Sequence, residues 1–383
     1  MGSFWYWSAV SLCAFQALVA QPLPYQPSYR RYALAALRDI YNLDFFHAEQ
    51  KLAKLDTHFG PYVGTAYLRA LSYSWRIEID PTTTWFDSFW ERAVKQTDSL
   101  LEHAAEHPLE KYFIGFGNAA LAVRHQYVRG QMIAAVWKAK ELLSFLKGLQ
   151  KYAEIYPEMQ FELGLYEYYI GYFSRNYPII RPFLSFFPPG DETRGLARLE
   201  KCAEDTTNYT HVEAAYFLSY ICLYQANQPL RAEKWLRWLT EKFPQNPLFR
   251  RMWAEALYHL QRYAQARQVV LPWLREYEKA CPKPPCYLIV GRFPTMEAVQ
   301  GYALVGMTFR EEGNYTEARQ AFGRMDTLMA TLRNFPPPTW ARLMREAALL
   351  EKRMGDQLTA ERRMAALRAR KDVPDFLKSP LPE

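Results

Sequence analysis

Few residues in this 383-residue chain have the types and spacing that chemistry requires. His103-Ala104-Ala105-Glu106-His107 matches H-x-x-E-H. In that pattern two imidazoles one helical turn apart hold zinc, and the intervening glutamate acts as base. Pro108 follows at once and is expected to end the helix, because proline disfavours the α conformation in the residue before it. The two histidines then read as polar residues at a helix C-terminus, where a partly positive ring is favoured. Cys281 and Cys286 enclose Pro282-Lys283-Pro284-Pro285. In an oxidising compartment they are expected to close that loop as a disulfide. A zinc site is the alternative, but two thiolates without a neighbouring His or further Cys make an incomplete ligand set. Cys202 and Cys222 fall on apolar faces and read as small core residues. Gly115-Phe116-Gly117 lacks the third glycine and the preceding strand of a phosphate loop, and no G-x-S-x-G elbow occurs. The expectation is a chain that is not an enzyme and needs no cofactor and no metal.

Composition narrows the class further. Half of the residues are hydrophobic and 16% are aromatic, enough for a large core. Only 17 glycines and almost no alternating apolar and polar runs predict an all-α protein. The net charge of +7 arises from 47 Lys and Arg against 40 Asp and Glu, interspersed along the chain, so nucleic acid is not an expected partner. Phe4 to Ala20 carries no charge and ends in Leu18-Val19-Ala20 before Gln21-Pro22. Residues 1–20 therefore read as a secretory signal, with an uncleaved anchor as the alternative. Residues 21–28 read as a linker, 29–373 as one helical domain and 374–383 as a C-terminal tail. Export points to the periplasm or to outer-membrane association. Peripheral contact with an envelope membrane through the basic last helix, with Arg362, Arg363, Arg368, Arg370 and Lys371, is a further reading.

The elements that would position any functional residue repeat. Arg262-Tyr263-Ala264-Gln265-Ala266-Arg267 and Asn314-Tyr315-Thr316-Glu317-Ala318-Arg319 share an aromatic residue, an alanine three positions on, and an arginine. Gly306, Phe309, Ala318 and Phe322 place a small residue, an aromatic, an alanine and an aromatic at intervals of three, nine and four. Ala232 lies 34 residues before Ala266, and Pro244 follows where a second helix should end. Small residues let paired helices touch while large neighbours fill the flanks. These intervals resemble the tetratricopeptide repeat family. The resemblance implies a right-handed solenoid of about seven to eight antiparallel helical hairpins. Tyr32 to Leu55 fits the first hairpin, and Thr339 to Arg370 a degraded last one. Asp80 to Asp87 interrupts the second as a longer loop.

Residues 158–200 combine an aromatic helix, a proline-interrupted apolar stretch and Gly190-Asp191-Glu192-Thr193-Arg194-Gly195-Leu196. That segment is similar to part of the eukaryotic tetratricopeptide family linked to inclusion-body clearance, and no catalytic residue comes with the similarity. In tetratricopeptide proteins the first helix of each hairpin faces the ligand. That rule implies partner contacts at Phe217, Ile221, Tyr224, Arg251, Glu255, Tyr258, Met307 and Arg310. The expected function is an exported scaffold that binds a protein or peptide in its groove. The alternative is a carrier or enzyme accessory that holds a small apolar ligand in an aromatic pocket near residues 158–190. Replacing Arg251 and Tyr258 by Ala is expected to weaken capture with little loss of stability.

Overall fold

The structure, a computed structural model, describes residues 22–104, 107–177, 181–288 and 292–382. The expected signal segment 1–20 and Glu106 lie outside the described residues. Helices dominate, and no strand occurs among the described residues. In chain order the helices are α1 (Pro27–Tyr41), α2 (Phe45–Phe59), α3 (Val63–Ile79), α4 (Asp87–Ala104), α5 (Gly115–Val128), α6 (Met132–Ala139) and α7 (Leu143–Tyr152). There follow α8 (Glu158–Asn176), α9 (Arg181–Leu184), α10 (Glu192–Glu204), α11 (His211–Tyr224), α12 (Pro229–Lys242), α13 (Pro247–His259) and α14 (Tyr263–Ala280). The last four are α15 (Thr295–Glu311), α16 (Tyr315–Met329), α17 (Pro337–Arg353) and α18 (Gln357–Ala369). Consecutive helices pack in pairs, α1 on α2, α3 on α4, α8 on α10, α11 on α12, and so on to α17 on α18.

Local chemistry explains the boundaries. Asp44, Asp191, Asn246 and Asp356 each cap a helix by accepting a backbone N–H from its first turn, at 3.4, 2.9, 3.1 and 3.2 Å. Gly313 and Gly355 turn between paired helices at φ near +78°, a conformation that side chains resist. Ala232, Ala266 and Ala318 are all fully buried, as the pairing of the repeat helices requires. At Gly306 the facing Phe322 ring occupies the space a Cβ would need, 2.7 Å away. Pro272 breaks the rule that prolines mark ends, since α14 runs through it.

Two stretches depart from the expected outline. Within residues 21–28, expected as a linker, Leu23–Tyr25 forms a 3-10 turn, α1 begins at Pro27, and the Tyr209 hydroxyl donates to the carbonyl of Pro24. The third hairpin, residues 109–153, is irregular. A π turn at Leu109–Ile114 precedes α5, and the return is divided into α6, a 3-10 turn at Lys140–Leu142 and α7.

A larger departure concerns long-range packing. In a simple stack each hairpin meets only its neighbours. Here α1 and α3 also pack against α11, α13 and the turn before α13. Trp75 of α3 sits with its ring centroid 5.5 Å from Tyr41, 5.0 Å from Tyr216 and 5.7 Å from Phe249. The Asn246 side chain donates to the carbonyl of Tyr41 at 2.9 Å, and the Gln245 N–H to Asn42 Oδ1 at 3.1 Å. The N–H of Leu288 reaches Asp80 Oδ2 at 3.3 Å, and Arg292 pairs with Asp44 at 3.0 Å. One hydrophobic core consequently runs from Tyr29 to Ala256 and takes in Leu288, and a second runs from Ala254 to Leu350.

Candidate functional site

α4 is described as far as Ala104, and His107 is not helical. His107 turns to other partners: its Nδ1 accepts the N–H of Leu109 at 3.2 Å, and its Nε2 shares a hydrogen bond with the Tyr156 hydroxyl at 3.0 Å. His103 Nδ1 lies 2.7 Å from the carbonyl of Ser99, one turn back on its own helix. No group of three His, Cys, Asp or Glu arranged for a metal occurs among the described residues. Cys281 and Cys286 are bonded, with Cα atoms 6.0 Å apart, and tie the end of α14 to the loop before α15. Cys202 and Cys222 are buried thiols, and burial pushes both upward, to about 12 and about 11, which leaves them unreactive.

The eight residues implied as partner contacts separate into two groups. Ile221, Arg251, Glu255 and Arg310 are buried, with exposures of 0, 7, 7 and 3%. Their charges serve one another. Arg251 Nε meets Glu297 Oε2 at 2.7 Å and its Nη1 meets Glu255 Oε1 at 2.8 Å, while Arg310 pairs with Glu311 at 2.8 Å. Burial works to raise the Glu255 carboxyl, but Arg251 and Arg342 outweigh it and hold the group below the usual range. Glu297 goes the other way, raised by burial despite Arg251. The physical reason for the difference from expectation is that first-helix polar groups of α13, α15 and α17 satisfy each other across adjacent repeats, which spacing along one helix does not reveal.

The other group stays accessible and acquires companions. Tyr224 is 38% exposed, and its hydroxyl donates to Glu255. Phe217, Tyr258 and Met307 are half-buried, and Arg124 lies over the Phe217 ring at 5.2 Å. Tyr220 meets Tyr224 edge-on at 4.9 Å. On α8, Tyr169 stacks on Phe173 at 5.7 Å, and Tyr172 and Phe173 both meet the exposed Tyr177, at 6.1 and 5.6 Å. Tyr127, 56% exposed at the end of α5, completes a ledge of rings along the C-terminal ends of successive first helices. Burial and neighbouring phenols raise Tyr127 and Tyr172, so these hydroxyls remain neutral donors across the physiological range. The sequence shows α8 as the most aromatic helix, but its Tyr166 and Tyr168 are interior while Tyr172 and Tyr177 reach the surface or its edge.

A buried polar cluster escaped sequence reasoning altogether. Trp75 Nε1 donates to Glu213, Tyr216 donates to Glu78 at 2.9 Å, and Arg124 Nε meets Glu78 at 3.1 Å. Glu162 beside them is 2% exposed, and its Oε2 has no hydrogen-bond partner. Burial and the Glu213 charge push its carboxyl up to about 8. A cavity of about 340 Å³ lies elsewhere, between α4, α5 and α7, lined by Asp98, Asn118, Lys138, Glu141 and Phe145. Its lining mixes these polar groups with Val94, Ala119 and Ala122, and it lies outside the aromatic stretch 158–190 in which an apolar pocket was expected. Compared with known proteins, the chain matches no family model, no curated protein and no solved structure.

Proposed function

We propose that the chain is an exported scaffold of the tetratricopeptide kind, a right-handed array of eight helical hairpins that binds a protein or peptide partner. The observation that carries this reading is the ring ledge formed by Tyr127, Tyr172, Phe173, Tyr177, Tyr220 and Tyr224, continued by Tyr258. Tyrosines offer large, stiff contact area with a hydroxyl at the rim, and they are enriched where proteins meet. The ledge runs across several repeats, so its shape suits an extended segment rather than a compact small molecule. The contact set therefore moves from the buried Arg251, Glu255 and Arg310 to the exposed edges of the same helices.

A photo-crosslinking amino acid at Tyr224 or Tyr177, compared with one at the exposed Phe46 on α2, tests this reading. A discrete adduct from an envelope extract at both ledge positions, absent at Phe46 and lost when Tyr172 and Tyr220 are replaced by Ala, is the expected result. No adduct at the ledge, or the same adduct at all three positions, overturns it.

A further inference from the structure

The irregular third hairpin and the proline-rich segment after α8 expose apolar side chains together. Ile133 and Trp137, one turn apart on α6, are 77 and 55% exposed, and Phe186 is 67% exposed. Lys140 joins them, its Nζ lying 3.9 Å from the Trp137 ring centroid and 5.3 Å from that of Phe186. Single exposed apolar residues are ordinary, but a cluster of large ones marks a contact surface.

The charge around this cluster is mainly positive. Over residues 131–147 and 174–189 the cations are Lys138, Lys140, Lys147, Arg175 and Arg181, and the sole acid is Glu141, which pairs with Lys138 at 2.6 Å. Arg181 is exposed on the same segment that carries Phe186, and the exposed Arg175 at the end of α8 pairs with Glu192 at 2.9 Å. Pro182, Pro188 and Pro189 have no N–H, which lowers the cost of moving this backbone out of water. No helix among the described residues is long and apolar enough to cross a membrane. The combination of Trp, Phe and Ile rimmed by lysine and arginine suits the interface of an anionic bilayer, where rings enter the headgroup layer and cations stay at the phosphates.

We propose that this face, built from α6 and residues 181–187, docks the protein on an anionic phospholipid surface. The inference is independent of what the tyrosine ledge binds, and it relocates membrane contact from the basic α18 to the opposite half of the chain. An uncharged bilayer gains the rings but not the cations, so binding requires acidic lipid and weakens with salt.

The test uses the full chain with Cys13→Ser and Ile133→Cys, labelled with an environment-sensitive fluorophore. Cys202 and Cys222 are buried and Cys281 is bonded to Cys286, so the label goes to position 133. A parallel probe at Leu358→Cys, 61% exposed on α18, reports on the basic last helix. With vesicles of phosphatidylglycerol in phosphatidylcholine, emission at 133 should rise roughly threefold as the probe leaves water. Pure phosphatidylcholine or high salt should abolish the rise, as should Lys140→Glu with Lys147→Glu, while position 358 stays unchanged. A rise at 358 but not 133, equal rises at both, or none with acidic lipid overturns the proposal. So does a rise at 133 produced by envelope protein and not by vesicles, which would assign the face to a protein partner.

Discussion

Glu162 and Arg251 show how much a single charge weighs once water is excluded. The Glu162 carboxyl, buried beside Glu213, sits at about 8 instead of its ordinary 4.5. A raised carboxyl contributes stability fully below the unfolded value, and that contribution fades as pH rises through the folded one. Unfolding free energies from urea titrations of the wild type should therefore fall between pH 5 and pH 9 more steeply than those of Glu162→Gln, the gap reaching on the order of 4 kcal/mol. Parallel curves would show that the carboxylate is not confined as described. Arg251 presents the opposite case, a buried cation shared by Glu255 and Glu297 at 2.8 and 2.7 Å. Removing it strands two carboxylates, so Arg251→Ala should cost about 3–5 kcal/mol of stability. Tyr258→Ala, on a half-buried ring, should cost far less. Calorimetry on both variants separates these roles, and equal losses would contradict the burial difference. The sequence placed both residues on one helix face but had no means of showing that α15 brings Glu297 to Arg251 while Tyr258 stays near water.

Between helices, close approach is set by residues without side chains. An added Cβ at Gly195 of α10 would lie 2.6 Å from the Tyr168 backbone nitrogen and 2.7 Å from the Gly164 carbonyl oxygen of α8. Backbone cannot swing aside as a ring can, so Gly195→Ala must part the two helices. Thermal unfolding should register a loss of about 1–3 kcal/mol, whereas Gly323→Ala, whose Cβ position is open, should be neutral or slightly stabilising. If both variants behaved alike, the α8 and α10 contact would be looser than the structure has it. This packing was partly legible in sequence: Ala232, Ala266 and Ala318 recur at repeat intervals, and all are interior. The divided return of the third hairpin was not legible, because α6 and α7 form an apolar pattern nearly continuous through Lys140–Leu142. Nor did the pattern indicate which aromatics of α8 face inward, since rings occupy both sides of that helix.

Across the whole molecule, repetition explains the neighbour contacts and not the return of the first helices onto α11 to α13. Periodicity describes how each hairpin meets the next, while Trp75 meeting Glu213 and Asn246 meeting Tyr41 depend on how curvature accumulates over several hairpins. That closure divides the chain energetically. The C-terminal pair α17 and α18 touches the rest chiefly through α15 and α16, so deleting residues from 336 onward should leave the preceding helices folded. Deleting residues through Tyr62 is a different operation. It uncovers Trp75, Phe243 and Phe249, all buried, and removes the Tyr41 carbonyl that accepts from Asn246. In a neighbour-only stack both truncations would trim one end, and helices beyond the adjacent hairpin would keep their protection. Here the N-terminal deletion should raise hydrogen exchange in α11 to α13, more than a hundred residues away, while the C-terminal deletion leaves those helices unchanged. Exchange confined to the cut end in both cases would mean that the contacts around Trp75 do not couple the two halves. Faster exchange at α11 to α13 after loss of α1 and α2 alone would establish a closed arch, whose rigidity holds the tyrosine ledge in one shape.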